Sequence, residues 1–308
     1  MTTQVAICII TYQRHKGLSD LLTGIDELKV PTGVCLQIIV VDNDRRGGAQ
    51  KVVVKYQENF RFTLHYAIEG TPGIPFARNK ALELTLNQFE YIAFIDDDEI
   101  PREDWLAELL QAQSKYRADA IMGPVFPLFV SDTPAWIERG KFFEQRPFTE
   151  GLVLSSGATS NALIRTAAIN QYNLRFEESM AMTGGTDALF FHLLNRKGGR
   201  IVWADQAVVY EQIPQSRANS IWLLKRAYRF GSSLALQDLK AGRSTVTLGR
   251  RILKGIGYIA LGTVKLVITF PLGKIYIVRA LQSILRGVGN LIGLFNLGYQ
   301  EYKTIHKV

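Results

Sequence analysis

The sequence predicts an α/β fold, a mainly parallel central sheet flanked by helices, followed by a basic amphipathic helical region that associates with a membrane. Three observations carry that expectation. Across residues 1–125, strand-like apolar runs alternate with helical patterns, the signature of βαβ units. Polar clusters stand where those runs end: Thr11-Tyr12-Gln13-Arg14, Asp42-Asn43-Asp44 and Asp96-Asp97-Asp98. Open parallel sheets bind ligands at the carboxyl ends of their strands. Finally, the charge is unevenly placed. Eleven basic residues from Lys240 to Lys307 against the single acid Glu301 make the tail +10, so with +8 overall the first 238 residues carry −2.

Taken in order, strands are expected near Val5 to Thr11, Gln37 to Asp42, Phe62 to Ala67, Tyr91 to Asp96 and Ala120 to Gly123. Helices fall between them, near Leu18 to Leu28, Ala49 to Asn59, Ile74 to Asn87 and Glu103 to Tyr116. Further on, Arg200 to Trp203 and Ala207 to Glu211 read as an edge strand or hairpin that closes the domain near residue 235. With 308 residues, 47% of them hydrophobic and 21% charged, the chain is neither disordered nor fibrous and can bury a large core. Cys8 and Cys35 sit in apolar runs without metal or disulfide spacing, and the N-terminus shows no secretory signal, so a reducing cytosol fits.

Residues 236–308 form the second unit. From Leu239 to Gln300 there is no Asp or Glu. The uncharged runs Gly255 to Val264, Leu266 to Gly273 and Gly287 to Gln300 are shorter than the ~20 residues a spanning helix needs. At about 100° per residue, Arg251, Lys254 and Lys265 share one helix face, and Arg279 and Arg286 another. The expectation is amphipathic helices lying in the interface with basic sides toward anionic headgroups. A helical hairpin packed on the first domain or on a second subunit is the plainer alternative, and a tilted span with Lys265 or Lys274 snorkelling is the third. No nucleic-acid partner is expected.

The chemistry centres on Tyr91-Ile92-Ala93-Phe94-Ile95-Asp96-Asp97-Asp98-Glu99. A strand running into four acids crowds like charges, which a divalent cation relieves; oxygen-only ligands favour Mg²⁺ or Mn²⁺. A solvated acidic turn capping the next helix is the bland reading. No phosphate-binding Gly-rich loop follows the first strand and no Walker A loop is present. A nucleotide would therefore be held by side chains and a metal. Arg78, in the first turns of a helix after Gly70-Thr71-Pro72-Gly73, supplies a cation for a diphosphate.

The ordered set Thr11-Tyr12-Gln13-Arg14, Val41-Asp42-Asn43-Asp44, Ala77-Arg78-Asn79, Phe94-Ile95-Asp96-Asp97-Asp98-Glu99 and Gly184-Gly185-Thr186-Asp187 resembles the family 2 glycosyltransferases of GT-A fold. Met122-Gly123-Pro124-Val125, Ser160-Asn161-Ala162-Leu163-Ile164-Arg165 and the run from Glu211 to Ala218 with Trp222-Leu223-Leu224-Lys225-Arg226 resemble the succinoglycan type of exopolysaccharide glucosyltransferase. The likeness covers roughly residues 4 to 235. It implies a nucleotide-sugar half over about 1–125 and an acceptor half over 126–235.

The resemblance implies inverting transfer of a hexose from a UDP-sugar, UDP-glucose favoured, to a hydroxyl of a polyprenyl-diphosphate-linked saccharide at the cytoplasmic side of the bacterial inner membrane, the enzyme being peripheral or monotopic. Thr11, Tyr12, Arg14, Asp42 and Asp44 would line the base and ribose pocket. Arg78, Asp96, Asp97 and Arg217 would face the rest of the donor, and Asp96 with Asp98 would hold the metal. Asp187 would be the general base, in reach of the attacking hydroxyl. A plain N-cap aspartate is its structural alternative. On the acceptor side, Trp136 and Glu211 are the candidates. Lys225, Arg226 and Arg229 read as a solvated or membrane-facing helix side.

Two departures stand out. The family usually has Glu where this chain has Thr186, and often His where it has Tyr210. A histidine metal ligand is thus in doubt, with Glu211 or water as substitutes. A nucleotidyltransferase or phosphohydrolase on a related sheet, and a non-catalytic nucleotide-binding membrane scaffold, are the competing functions.

Overall fold

In a computed structural model, residues 2–129, 133–144, 148–182, 184–240, 242 and 244–295 are described. Thr183, Arg243, Lys303 and Lys307 lie outside them. The first apolar run forms β1 (Thr3–Thr11), buried along most of its length. Its alternation feeds two cores: Val5, Ile7 and Ile9 face one side of the sheet, Ala6 and Cys8 the other. In α1 (His15–Asp26), Leu18, Leu21, Leu22 and Ile25 recur at helical spacing and are all buried. Full burial of each such side chain contributes about 1.5–3 kcal/mol.

The pattern repeats through β2 (Val34–Asp42), α2 (Gln50–Gln57), β3 (Thr63–Ile68), α3 (Ile74–Thr85) and β4 (Tyr91–Asp96). A short β5 (Glu99–Pro101), α4 (Trp105–Tyr116) and β6 (Ala120–Met122) follow. Then come β7 (Val125–Phe129), α5 (Ala135–Arg139), β8 (Val153–Leu154), β9 (Asn161–Arg165), α6 (Thr166–Gln171), α7 (Thr186–Arg196), β10 (Ile201–Trp203) and β11 (Val209–Ile213). Three long helices end the chain: α8 (Ser220–Lys240), α9 (Thr245–Thr269) and α10 (Lys274–Gly293).

Among the described residues the main sheet has eight strands in the order β3-β2-β1-β4-β9-β6-β10-β8. The β3-β2-β1-β4 half is parallel throughout. β9 then enters antiparallel between β4 and β6. No strand is expected there, since Asn161-Ala162-Leu163-Ile164-Arg165 is one buried run too short to show a period. Residues 200–211 form neither the hairpin nor the edge strand expected. β10 joins the main sheet beside β6, whereas β11 sits in a three-stranded sheet between β5 and β7. That second sheet sets Glu211 directly opposite Glu99, next to the acidic turn.

The tail is helical, as expected, and packs on α8. α8 runs through residue 235, so helix continues across the expected boundary, and α9 and α10 fold as a hairpin against it. Contact is close because glycines line the seams: a Cβ on Gly231 would lie 2.1 Å from the Arg286 carbonyl oxygen, and one on Gly289 2.0 Å from that of Tyr228. Arg251 pairs with Asp238, and Arg279 donates to the Gly140 carbonyl at 3.0 Å, so two of the basic residues assigned to headgroups face protein instead. The segment Thr245–Leu272 spans 28 residues, and its most apolar 18-residue stretch has a mean hydropathy of 1.6, long and apolar enough to cross a membrane. It exposes Leu253, Ile256, Leu261, Val264, Val267 and Ile268.

Candidate nucleotide-binding and catalytic site

The site grows from the turn after β4. The Asp96 backbone N–H donates to Glu99 Oε2 at 2.8 Å, closing the turn, and Glu99 is fully enclosed. Burial, with Asp96 and Asp98 nearby, pushes the Glu99 carboxyl well above the usual range. Asp97 points inward and accepts from Thr11 Oγ1 at 2.7 Å and Arg14 Nη1 at 2.8 Å. Arg14 Nη1 also reaches Asp98 Oδ2 at 3.0 Å. Burial opposes the Arg14 charge, but Asp97 and Asp98 outweigh it and raise its pKa. α1 can press this close only because residue 17 is glycine; a Cβ there would lie 2.4 Å from the Asp97 carbonyl oxygen.

Three more elements complete the wall. Arg217, after β11, places Nη2 2.9 Å from Asp98 Oδ2 and Nη1 2.9 Å from Glu211 Oε1. From α3, Arg78 sends Nη2 to 3.7 Å from Asp96 Oδ1 and donates Nη1 to Thr186 Oγ1 at 3.4 Å. Thr186 thus supplies a neutral acceptor where the family usually has an acid. Asp187 sits beside it in the first turn of α7, entered through Gly185 at φ 84°, and its Oδ1 accepts the Ala188 N–H at 2.8 Å. Arg14, Arg78, Asp96, Asp98, Asp187, Glu211 and Arg217 all line one cavity of 670 Å³. The Asp96 side chain is 43% exposed into it. Desolvation, opposed by Arg78 and reinforced by Asp98, Asp97 and Asp187, pushes the Asp96 carboxyl up to about 7.

A second cavity of 180 Å³ adjoins the first through Arg14 and Asp97 and is lined by Thr11, Tyr12, Asn43 and Gly73. Asp42 and Asp44, expected to touch base or ribose, do not line it. The Asp42 carboxylate is wholly buried and accepts from the Asp44 N–H (2.9 Å), the Ala49 N–H (2.8 Å) and Tyr66 Oη (2.8 Å). Asp44 is bound to the Arg46 N–H and to Gln13 Nε2, both at 3.0 Å; the backbone bond leads in holding its carboxyl below the usual range. Both acids brace the loop, and Asn43 is the residue at the cavity. Its amide is fixed by the carbonyls of Glu69 (2.9 Å) and Thr71 (2.7 Å).

Trp136, expected on the acceptor side, stands apart from both cavities. It packs edge-on to Phe142 at 5.5 Å beneath the Lys274 ammonium, 4.3 Å from its ring centre, and lines neither cavity. Trp222 lines the larger one instead, stacked on Phe143 at 5.4 Å. Arg226 lines it too, its guanidinium 5.2 Å from the Trp222 ring centre, so it is neither solvated nor membrane-facing. Desolvation lowers its pKa against the pull of Glu211. The signal for both was the aromatic and basic interleaving of Trp222-Leu223-Leu224-Lys225-Arg226. Tyr210 stands beside Phe126 at 6.5 Å, 38% exposed, because strand alternation sends it away from Glu211.

Among the described residues no three His, Cys, Asp or Glu side chains converge as a ready-made metal cage. The donors still suit a hard cation: Asp96, Asp98 and Glu211 offer carboxylate oxygens on one wall. Mg²⁺ and Mn²⁺ sites of this kind use one or two carboxylates and take the remaining ligands from phosphates and water.

Comparison with known proteins agrees with this architecture. The model of the family described as glycosyl transferase family 2 matches residues 6–172. The chain is 33% identical over 232 residues to the succinoglycan biosynthesis protein ExoM of Rhizobium meliloti (strain 1021), covering 75% of this chain and 74% of that one. In fold it is similar to the mannosyltransferase PcManGT from Pyrobaculum calidifontis, solved with GDP-Man and Mn²⁺ (TM-score 0.64, 17% identity, 94% and 88% of the two chains). It is also similar to S. aureus TarS 1-349 in complex with UDP-GlcNAc (TM-score 0.55, 18% identity, 94% and 91%). Three arginines and a carboxylate turn at the mouth of a GT-A sheet, and a family match over more than half its length, make this chain a member of glycosyl transferase family 2.

Proposed function

We propose that the chain is an inverting, metal-dependent hexosyltransferase of exopolysaccharide or surface-glycan synthesis. It takes the sugar from a UDP-sugar, UDP-glucose favoured, and passes it to a hydroxyl of a polyprenyl-diphosphate-linked saccharide. The observation that carries the reading is the convergence of Arg14, Arg78 and Arg217 on the Asp96–Asp98 turn, with Asp187 on the same cavity. Support for the donor comes from the TarS complex, and for the pathway from the name of the Rhizobium relative.

The nucleoside would occupy the cavity of Tyr12 and Asn43, and the diphosphate would lie toward Arg78 and Arg217. A divalent metal on Asp96 and Asp98 would stabilise negative charge on the departing diphosphate. Asp187 accepts the proton of the acceptor hydroxyl as its oxygen bonds to the anomeric carbon. The bond from that carbon to the diphosphate breaks with its electron pair leaving on UDP, so one displacement inverts the centre. The exposed apolar side of α9 would hold the enzyme at the cytoplasmic face of the inner membrane, peripheral or monotopic.

The test is calorimetric titration of the purified chain with UDP, with and without Mn²⁺, beside Asp98→Ala and the milder Asp98→Asn. Metal-dependent binding lost in both variants is the expected result. Absence of UDP binding under every metal condition overturns the reading; binding without transfer to any acceptor points to the scaffold.

A further inference from the structure

The C-terminal hairpin does more than cover the domain. Between it and the sheet lies a cavity of 1100 Å³, continuous with the catalytic one through Ser156, Gly157, Ala158, Arg226 and Phe230. Four cations line it: Arg226 from α8, Lys265 from α9, and Arg279 and Arg286 from α10. The one acid on its wall, Glu144, is already engaged by Lys141 at 3.1 Å. Arg286 is held between the rings of Phe230 and Tyr258, its Cζ 4.4 Å and 5.0 Å from their centres, and its buried Nε has no hydrogen-bond partner. No protein anion pairs with Arg286 or Lys265 among the described residues. Native proteins rarely leave a buried donor orphaned or collect cations around an empty space unless an anion belongs there.

We infer that this cavity binds the phosphate or diphosphate group of a lipid-linked acceptor, and that α8, α9 and α10 form the acceptor site. The inference rests on the glycosyltransferase reading above and locates the phosphates of its second substrate. The geometry supports a lipid-linked source over a free anion. α9, which carries Lys265 and Tyr258 into the wall, exposes its apolar side chains outside, so a hydrocarbon tail has a surface to follow from the cavity mouth. Aromatic faces on the opposite wall, Phe148 edge-on to Trp203 at 4.9 Å, suit sugar rings. An acceptor anchored by its phosphates here would reach past Arg226 toward Asp187 with its sugar.

The experiment is titration of the full chain, saturated with UDP and excess Mg²⁺, with farnesyl diphosphate. Farnesol and inorganic pyrophosphate serve as matched probes, and the variants are Lys265→Gln and Arg286→Met. UDP affinity is measured on every sample, so a failure of UDP binding marks failure of the donor reading, whereas intact UDP binding isolates the acceptor site. The expected result is saturable farnesyl diphosphate binding, weakened about tenfold by each variant, the loss of one hydrogen bond to a charged group. Lys265 is exposed, so Lys265→Gln keeps the test valid where Arg286→Met fails to fold. Equal binding of farnesol, or variants with unchanged affinity, would overturn the anion site. Pyrophosphate binding as tightly as farnesyl diphosphate would overturn the lipid-linked source.

Discussion

Arg217 and Asp98 come from distant parts of the chain yet meet at 2.9 Å, both side chains almost enclosed, at 10% and 6% exposure. Through its other nitrogen Arg217 also holds Glu211, so one guanidinium ties the second sheet to the acidic turn. Removing it leaves Glu211 without its hydrogen-bonded cation and Asp98 with Arg14 alone. Arg217→Ala is expected to lower stability by about 3 kcal/mol and to weaken UDP binding roughly tenfold. Thermal melts and calorimetry check this; unchanged UDP affinity would remove Arg217 from the donor site.

Asp187 contributes one bond to its own helix and otherwise faces the cavity. Asp187→Asn keeps that bond and the shape but cannot take a proton. UDP affinity should stay within about twofold while transfer falls by roughly 10²–10⁴. A variant that still transfers at the native rate rules Asp187 out as the base.

Thr186 gives Arg78 a hydroxyl acceptor at 3.4 Å inside the protein. Thr186→Val preserves the volume and removes the acceptor. A loss near 1 kcal/mol, about fivefold in UDP affinity, is expected, measured against Thr186→Ser, which retains it. Equal affinities for the two variants would show that the Thr186 hydroxyl does not place Arg78.

The two tryptophans should separate cleanly. Trp136→Ala loses packing on Phe142 and Lys274 and is expected to cost roughly 2 kcal/mol of stability with UDP binding intact. Trp222→Ala opens the catalytic cavity itself, and transfer should fall. The reverse pattern would restore Trp136 to the acceptor side.

Cys8 lies inside the sheet with no exposure, and burial raises its thiol far above the ordinary value. A thiol reagent should label Cys35 in the native protein and Cys8 only as it unfolds. Rapid native labelling of both would mean that β1 opens locally.

The parallel half of the sheet is legible in the chain's residues alone, because the apolar pattern and polar ends of β1, β2, β3 and β4 are local properties. The sequence also pointed to Asp96–Asp98, Arg78 and Asp187 as residues whose chemistry suits one site. Long-range packing sets what periodicity cannot carry: that β9 inserts antiparallel, that β11 leaves its neighbour to bring Glu211 against Glu99, and that Asp42 is consumed by three internal hydrogen bonds while Asn43 faces the cavity. A basic tail likewise reads the same in sequence whether its cations face lipid or protein. Packing on α8 turned Arg286 inward, because glycines at the helix seams let the backbones approach and left that cation facing the space beside the active site.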